Sequence, residues 1–91
     1  MKRYLHIHWK KPGPGEPAHT YSELDSARHE IRKVEMFPNG TRGFADANEE
    51  AGGTVLGVLP VPALAELAGD PAFEVKEVAV EEFQRQWLKR R

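Results

Sequence analysis

The chain contains no cysteine, so neither a disulfide framework nor a cysteine-ligated zinc or iron–sulfur site can hold it together. Serine is nearly missing as well. Only Ser22 and Ser26 are present, and neither stands in the strand–turn–helix sequence that exposes a nucleophilic serine. Long apolar runs are lacking too. The best stretch, residues 54–69, is cut by Pro60, Pro62 and Glu66 and falls short of a bilayer span. The amino-terminal Met1-Lys2-Arg3-Tyr4-Leu5-His6-Ile7-His8-Trp9-Lys10 is charged and alternating, without the apolar centre of a secretory signal. The expectation is a cytoplasmic protein with no membrane partner. Gly52-Gly53-Thr54 lacks the lysine and the spacing of a phosphate-binding loop.

With 91 residues there is room for one domain, 1–91, and for a single modest core. A chain of this size buries only roughly 60–65% of the surface it exposes when unfolded. A composition of 40% hydrophobic and 30% charged residues is that of a globular protein and not of a disordered one. The net charge of −1 conceals a division along the chain. Residues 1–45 carry eight bases and five acids, residues 46–82 nine acids against Lys76 alone, and residues 83–91 four bases. Fields of opposite sign steer charged partners. A pI near 6.4 and the want of a basic stripe make nucleic acid an unlikely ligand.

Hydrophobic periodicity supplies the elements. Tyr4 to Lys10 alternates strictly, with Leu5, Ile7 and Trp9 on one side and Tyr4, His6 and His8 on the other, as in a half-buried strand. Residues 11–17 hold three prolines and two glycines and form a loop. Ala18 to Leu24 is a second strand. Asp25 with Ile31 and Val34 has some helical spacing. Asn39-Gly40, however, is a strong hairpin signal and demands a strand on both sides. We therefore expect strands at about 28–37 and 41–46, a type I′ turn at Asn39-Gly40, and a bulge near Arg32-Lys33. Residues 54–59 read as a short fifth strand, Pro62 to Gly69 as a helix with proline first and glycine last, residues 73–80 as a strand, and the end from Glu81 as a helix. The fold class is α+β: a mainly antiparallel sheet of about five strands with two helices packed on one face. Trp9 and Trp87 fall on apolar sides and are expected in the core.

Tyr21-Ser22-Glu23-Leu24-Asp25, Arg32-Lys33-Val34-Glu35-Met36-Phe37, Gly52-Gly53-Thr54 with Leu56-Gly57, Pro60-Val61-Pro62 and Asp70-Pro71-Ala72-Phe73-Glu74-Val75 follow one another in this order. In these phrases the chain resembles a family of small uncharacterised bacterial proteins of about this length, over nearly all its residues. Members of that family look like immunity-type proteins of bacterial toxin systems. The resemblance implies a protein partner and supplies no catalytic residues.

His6 and His8 share one face of a strand, a spacing that can ligate a metal. An isolated His-x-His is more often a solvent-facing strand, and no metal ligand and no cofactor are assigned. Arg32, Lys33 and Glu35 are expected as a recognition patch on the open sheet face. Asp46, Glu49 and Glu50 are expected as an acidic patch at the end of the hairpin. The leading reading is a non-catalytic binding module, immunity- or inhibitor-like, that occludes a bacterial toxin or effector through these six residues. The alternatives are a small metal-dependent enzyme built on His6 and His8, or a nucleic-acid-associated module using the basic termini. The oligomeric state is open at this stage.

Overall fold

In the computed structural model, which describes residues 1–91, six strands form one antiparallel sheet in the order β5-β4-β3-β2-β1-β6. They are β1 (Arg3–Trp9), β2 (His19–Leu24), β3 (Glu30–Met36), β4 (Arg42–Ala45), β5 (Glu50–Ala51) and β6 (Phe73–Glu77), with α1 (Leu64–Ala68) between β5 and β6 and α2 (Val80–Leu88) after β6. The α+β class holds, with six strands where about five were expected. The strand expected over 54–59 is absent, and β5 forms instead at Glu50–Ala51, two residues that no periodicity can reveal.

The register explains which side chains meet. One face carries the rows Tyr4–Glu23–Arg32, Lys76–His6–Tyr21–Val34–Phe44–Ala51 and Glu74–His8–His19–Met36–Arg42. The other carries Glu77–Leu5–Ser22–Lys33–Ala45–Glu50 and Val75–Ile7–Thr20–Glu35–Gly43. Helix α2 lies across β1, β2 and β3 on the first face. Its Phe83 and Trp87, four apart and so on one side of the helix, join Tyr21, Val34 and Phe44 in the core. Trp87 meets Phe44 edge-on at 5.8 Å between ring centroids, a favoured aromatic geometry. Trp9 is only half-buried and leans on Phe73 of the edge strand. It lies outside the core it was expected to join.

The β3–β4 hairpin forms at the expected place with a different turn. Gly40 N–H donates to Phe37 C=O and Phe37 N–H to Thr41 C=O, both at 2.9 Å, so the loop is the three residues Pro38-Asn39-Gly40. Only Gly40 has positive φ, at 87°. A two-residue I′ turn would need it at Asn39 also. Pro38 presets the first turn position, and the Asn39 carboxamide oxygen accepts from the Thr41 N–H and hydroxyl. The bulge also sits slightly earlier than expected. Glu23 pairs Arg32 while Leu24 pairs Glu30, so Ile31 is the extra residue.

Between β5 at one edge and β6 at the other, the chain must cross the sheet. Residues 54–61 begin that passage as a strap with no ladder of its own, following β3 from Glu35 to Glu30 and reaching Arg28 beyond its end, where a fifth strand was expected over 54–59. It runs on the face of Lys33 and Glu35, opposite α2. Leu5 and Leu24, both buried, lie on that same face. Neither sheet face is therefore open over its centre.

Candidate functional site

The strap is held by its backbone. The Lys33 ammonium donates to Val55 C=O at 3.0 Å, and Gly57 N–H donates to a Glu30 carboxylate oxygen at 2.5 Å. Lys33 and Glu30 are themselves an ion pair at 2.9 Å. At the start of the crossing the buried Thr54 hydroxyl donates to Glu35 at 2.7 Å. Here the strap presses on β4 so closely that a Cβ at Gly43 would collide with the Thr54 hydroxyl. At the far end the Arg28 guanidinium donates to Val61 C=O (2.9 Å) and Pro62 C=O (2.7 Å). Arg28 is the single non-glycine residue with positive φ, 67°. The Asp25 carboxylate holds it there by accepting from the N–H groups of Ala27 and His29. Such a backbone persists only where its surroundings enforce it, and the reward is a guanidinium aimed at the strap.

Clamped in this way, the strap turns large aliphatic side chains to solvent. Val55, Val58 and Leu59 are 55%, 89% and 76% exposed. All three lie within five residues of one segment whose backbone is held at several points.

The six residues expected at the site fall into three places. Lys33 and Glu35 stand under the strap and hold it. Arg32 lies on the opposite face, below α2, so the expected Arg32-Lys33-Glu35 patch is not one surface. Alternation along a strand separates neighbours in just this way. Asp46, Glu49 and Glu50 do gather at the β4–β5 turn, with Glu50 the first residue of β5 and four residues before Thr54, where the strap begins. The Asp46 carboxylate accepts from Asn48 N–H and Glu49 N–H, both at 2.8 Å, and so fastens the turn. Glu49 reaches Arg91 at 2.7 Å across the surface, and Glu50 is exposed without a partner.

Arg32 belongs to a buried charge pair that sequence reading missed. Its Nε donates to Glu23 Oε1 at 2.6 Å and its Nη2 to Oε2 at 3.0 Å, while the Tyr4 hydroxyl donates to Oε2. Burial pushes the Glu23 carboxyl up, but the hydrogen bonds and charge of Arg32, with Tyr4, prevail and hold it below the usual carboxylate range. The guanidinium also lies about 5 Å from the Phe83 and Trp87 ring centroids, where a cation is attracted to the ring face.

The histidines form a tier at one end of the same face. His8, His19, His6 and Tyr21 stack in turn with centroid separations of 4.5, 5.1 and 4.3 Å. His6 Nε2 and His19 Nδ1 share a hydrogen bond of 2.9 Å, and His8 Nδ1 is 3.0 Å from Glu74. Burial first, then the neighbouring His19, Lys76 and His8, pushes His6 down to about 4. Beside it, Tyr21, Lys76, Ala79 and Glu82 line a shallow cleft. His6 and His19 thus share one ring-nitrogen contact while His8 turns to Glu74, and no three His, Asp or Glu side chains converge as a metal cage. No helix is long and apolar enough to cross a membrane.

The arrangement as a whole leaves Val55, Val58 and Leu59 exposed on a backbone-held segment that follows the acidic β4–β5 turn. Neither the curated proteins nor the solved structures include a match to the chain. Residues 3–91, nearly the full length, match the family described as a domain of unknown function (DUF6881), and the chain belongs to that family.

Proposed function

We propose that the protein is a non-catalytic binding module of the immunity or inhibitor kind, acting in the cytoplasm, that covers the working surface of a bacterial toxin or effector. The observation that carries this reading is the strap: Val55, Val58 and Leu59 exposed on a segment pinned by Arg28, Glu30, Lys33 and Glu35. An apolar centre with a polar rim is the usual anatomy of a protein interface. A segment already fixed in its bound form loses little ordering entropy on binding. Glu49 and Glu50 stand at the rim and favour a basic partner, such as a nuclease whose own site must hold phosphates. Asp46 shapes the turn that presents them. Lys33 and Glu35 act as positioning residues, and Arg32 stiffens the sheet beneath.

The test compares the wild-type chain with Val58→Asp/Leu59→Asp as immobilised baits against extract of the native host. The captured protein is then purified, titrated with the chain and assayed for its own activity. The reading expects a stoichiometric complex that silences that activity, is lost in the strap variant, and forms more slowly for Glu49→Lys/Glu50→Lys as rim charges govern association rate. Equal capture by wild type and strap variant, or a complex that leaves the partner's activity intact, overturns it.

A further inference from the structure

The crossing of the strap leaves β6 as the last strand of the sheet. Lys10 N–H donates to Ala72 C=O at 3.0 Å, and Val78 N–H to Tyr4 C=O at 2.8 Å. Along an antiparallel ladder the main-chain groups of alternate residues turn to the same side. Residues 72, 74, 76 and 78 therefore face β1, and 73, 75 and 77 face outward. Phe73 N–H is taken by Asp70 C=O at 3.1 Å. The Phe73 carbonyl and the N–H and C=O groups of Val75 and Glu77 take part in none of the turn or loop bonds. Glu74, Lys76 and Glu77 are exposed.

We propose that this edge pairs with the same edge of a second copy, antiparallel about a two-fold axis through Val75, joining two sheets into one. In that register Val75 faces Val75 of the second copy, and Phe73 faces its Glu77, at the positions where both strands turn main-chain groups outward. Glu77 N–H then finds the free Phe73 carbonyl. Glu74 stands directly opposite Lys76 of the second copy, twice by symmetry, at the positions where cross-strand side chains come closest. Moving the axis by one residue still pairs outward-facing residues with one another but places Glu74 against Glu74 or Lys76 against Lys76, so the charges alone select the register. A lysine in the middle of an edge strand ordinarily discourages pairing. Here the glutamate two residues before it turns that guard into a key that fits only itself. This interface is separate from the strap and stands whether or not a toxin partner exists.

A five-residue edge buries little surface, so association should be weak and visible as a concentration dependence. Sedimentation equilibrium at low salt, across a dilution series, should show a monomer–dimer equilibrium. Glu74→Lys and Lys76→Glu should each weaken it on the order of tenfold or more, because like charges then face each other twice. An equimolar mixture of the two variants should recover wild-type association as a heterodimer, since every cross-strand pair is again opposite in sign. Val75→Pro takes only an outward N–H from the main chain, together with a half-buried aliphatic side chain, so it should give a folded, somewhat less stable monomer with near-wild-type circular dichroism. A wild-type chain that stays monomeric at its highest soluble concentration overturns the proposal. So does a dimer indifferent to the single reversals, or variants whose mixture does not recover.

Discussion

Glu23 and Arg32, directly opposed on β2 and β3, form a two-point ion pair beneath α2, with the Glu23 side chain 2% exposed and that of Arg32 21%. Such a pair earns its stability only while both members remain. Glu23→Ala strands the guanidinium under Phe83 and Trp87 and should cost about 3–5 kcal/mol in urea unfolding, whereas Glu23→Leu/Arg32→Met should regain most of that loss. Since the folded carboxyl titrates below its free value of 4.5, its contribution is complete above that pH and fades as pH falls through the lower folded value. A double variant no more stable than Glu23→Ala would show that the aliphatic pair cannot fill the site.

His6 sets a second acid sensitivity with its own window. Folded His6 titrates at about 4 against 6.5 for a free imidazole. Between those values the unfolded chain binds the proton and the folded chain does not, so stability falls as pH drops from 6.5 toward 4. The melting temperature should decline over that interval, and His6→Gln should flatten the decline. An unchanged slope in the variant would place the effect on another group.

Two glycines of the β3–β4 hairpin should respond differently to the same substitution. At Gly40 nothing lies near the site of a new Cβ, and only the positive φ resists it, so Gly40→Ala should cost about 1 kcal/mol. At Gly43 the new methyl strikes the Thr54 hydroxyl and the Ala51 carbonyl. Gly43→Ala should cost about 1–3 kcal/mol as an overpacked site does, and it should speed amide exchange in residues 54–57 as the strap lifts. Denaturation paired with hydrogen exchange separates the two cases.

Much of this architecture could be read from the residues. The strict alternation of β1, the strand read over 18–24 and the Asn39-Gly40 signal agree with β1 to β4, and Phe83 with Trp87 agrees with α2. The turn type was misjudged because Pro38 enlarges the loop, and the phase slip was put at Arg32-Lys33 because a bulge at Ile31 shifts every later residue. The larger failure concerned the sheet faces. Tyr4, His6 and His8 look like a wet side, yet that face receives α2, since polar tips can be satisfied by Glu23, Arg32 and one another. Val55, Leu56, Val58 and Leu59 look like a strand because exposure leaves no trace in a short aliphatic run. That Lys33 and Glu35 serve a crossing segment depends on chain topology, which local pattern does not encode. Asp46, Glu49 and Glu50 lie together because they are local to one turn and its flanking strand.

The clamp on the strap grips carbonyls and amides: Val55, Gly57, Val61 and Pro62 are all held through main-chain atoms by side chains that belong elsewhere. What Val58 and Leu59 carry beyond Cβ therefore matters little to the scaffold, and Val55, 55% exposed, matters only in part. Their identities can drift from one descendant to the next without disturbing the sheet, much as teeth can be recut on a key whose blank is unchanged. Sequence change is accommodated here, while Arg28, Glu30, Lys33 and Glu35 are left no such freedom.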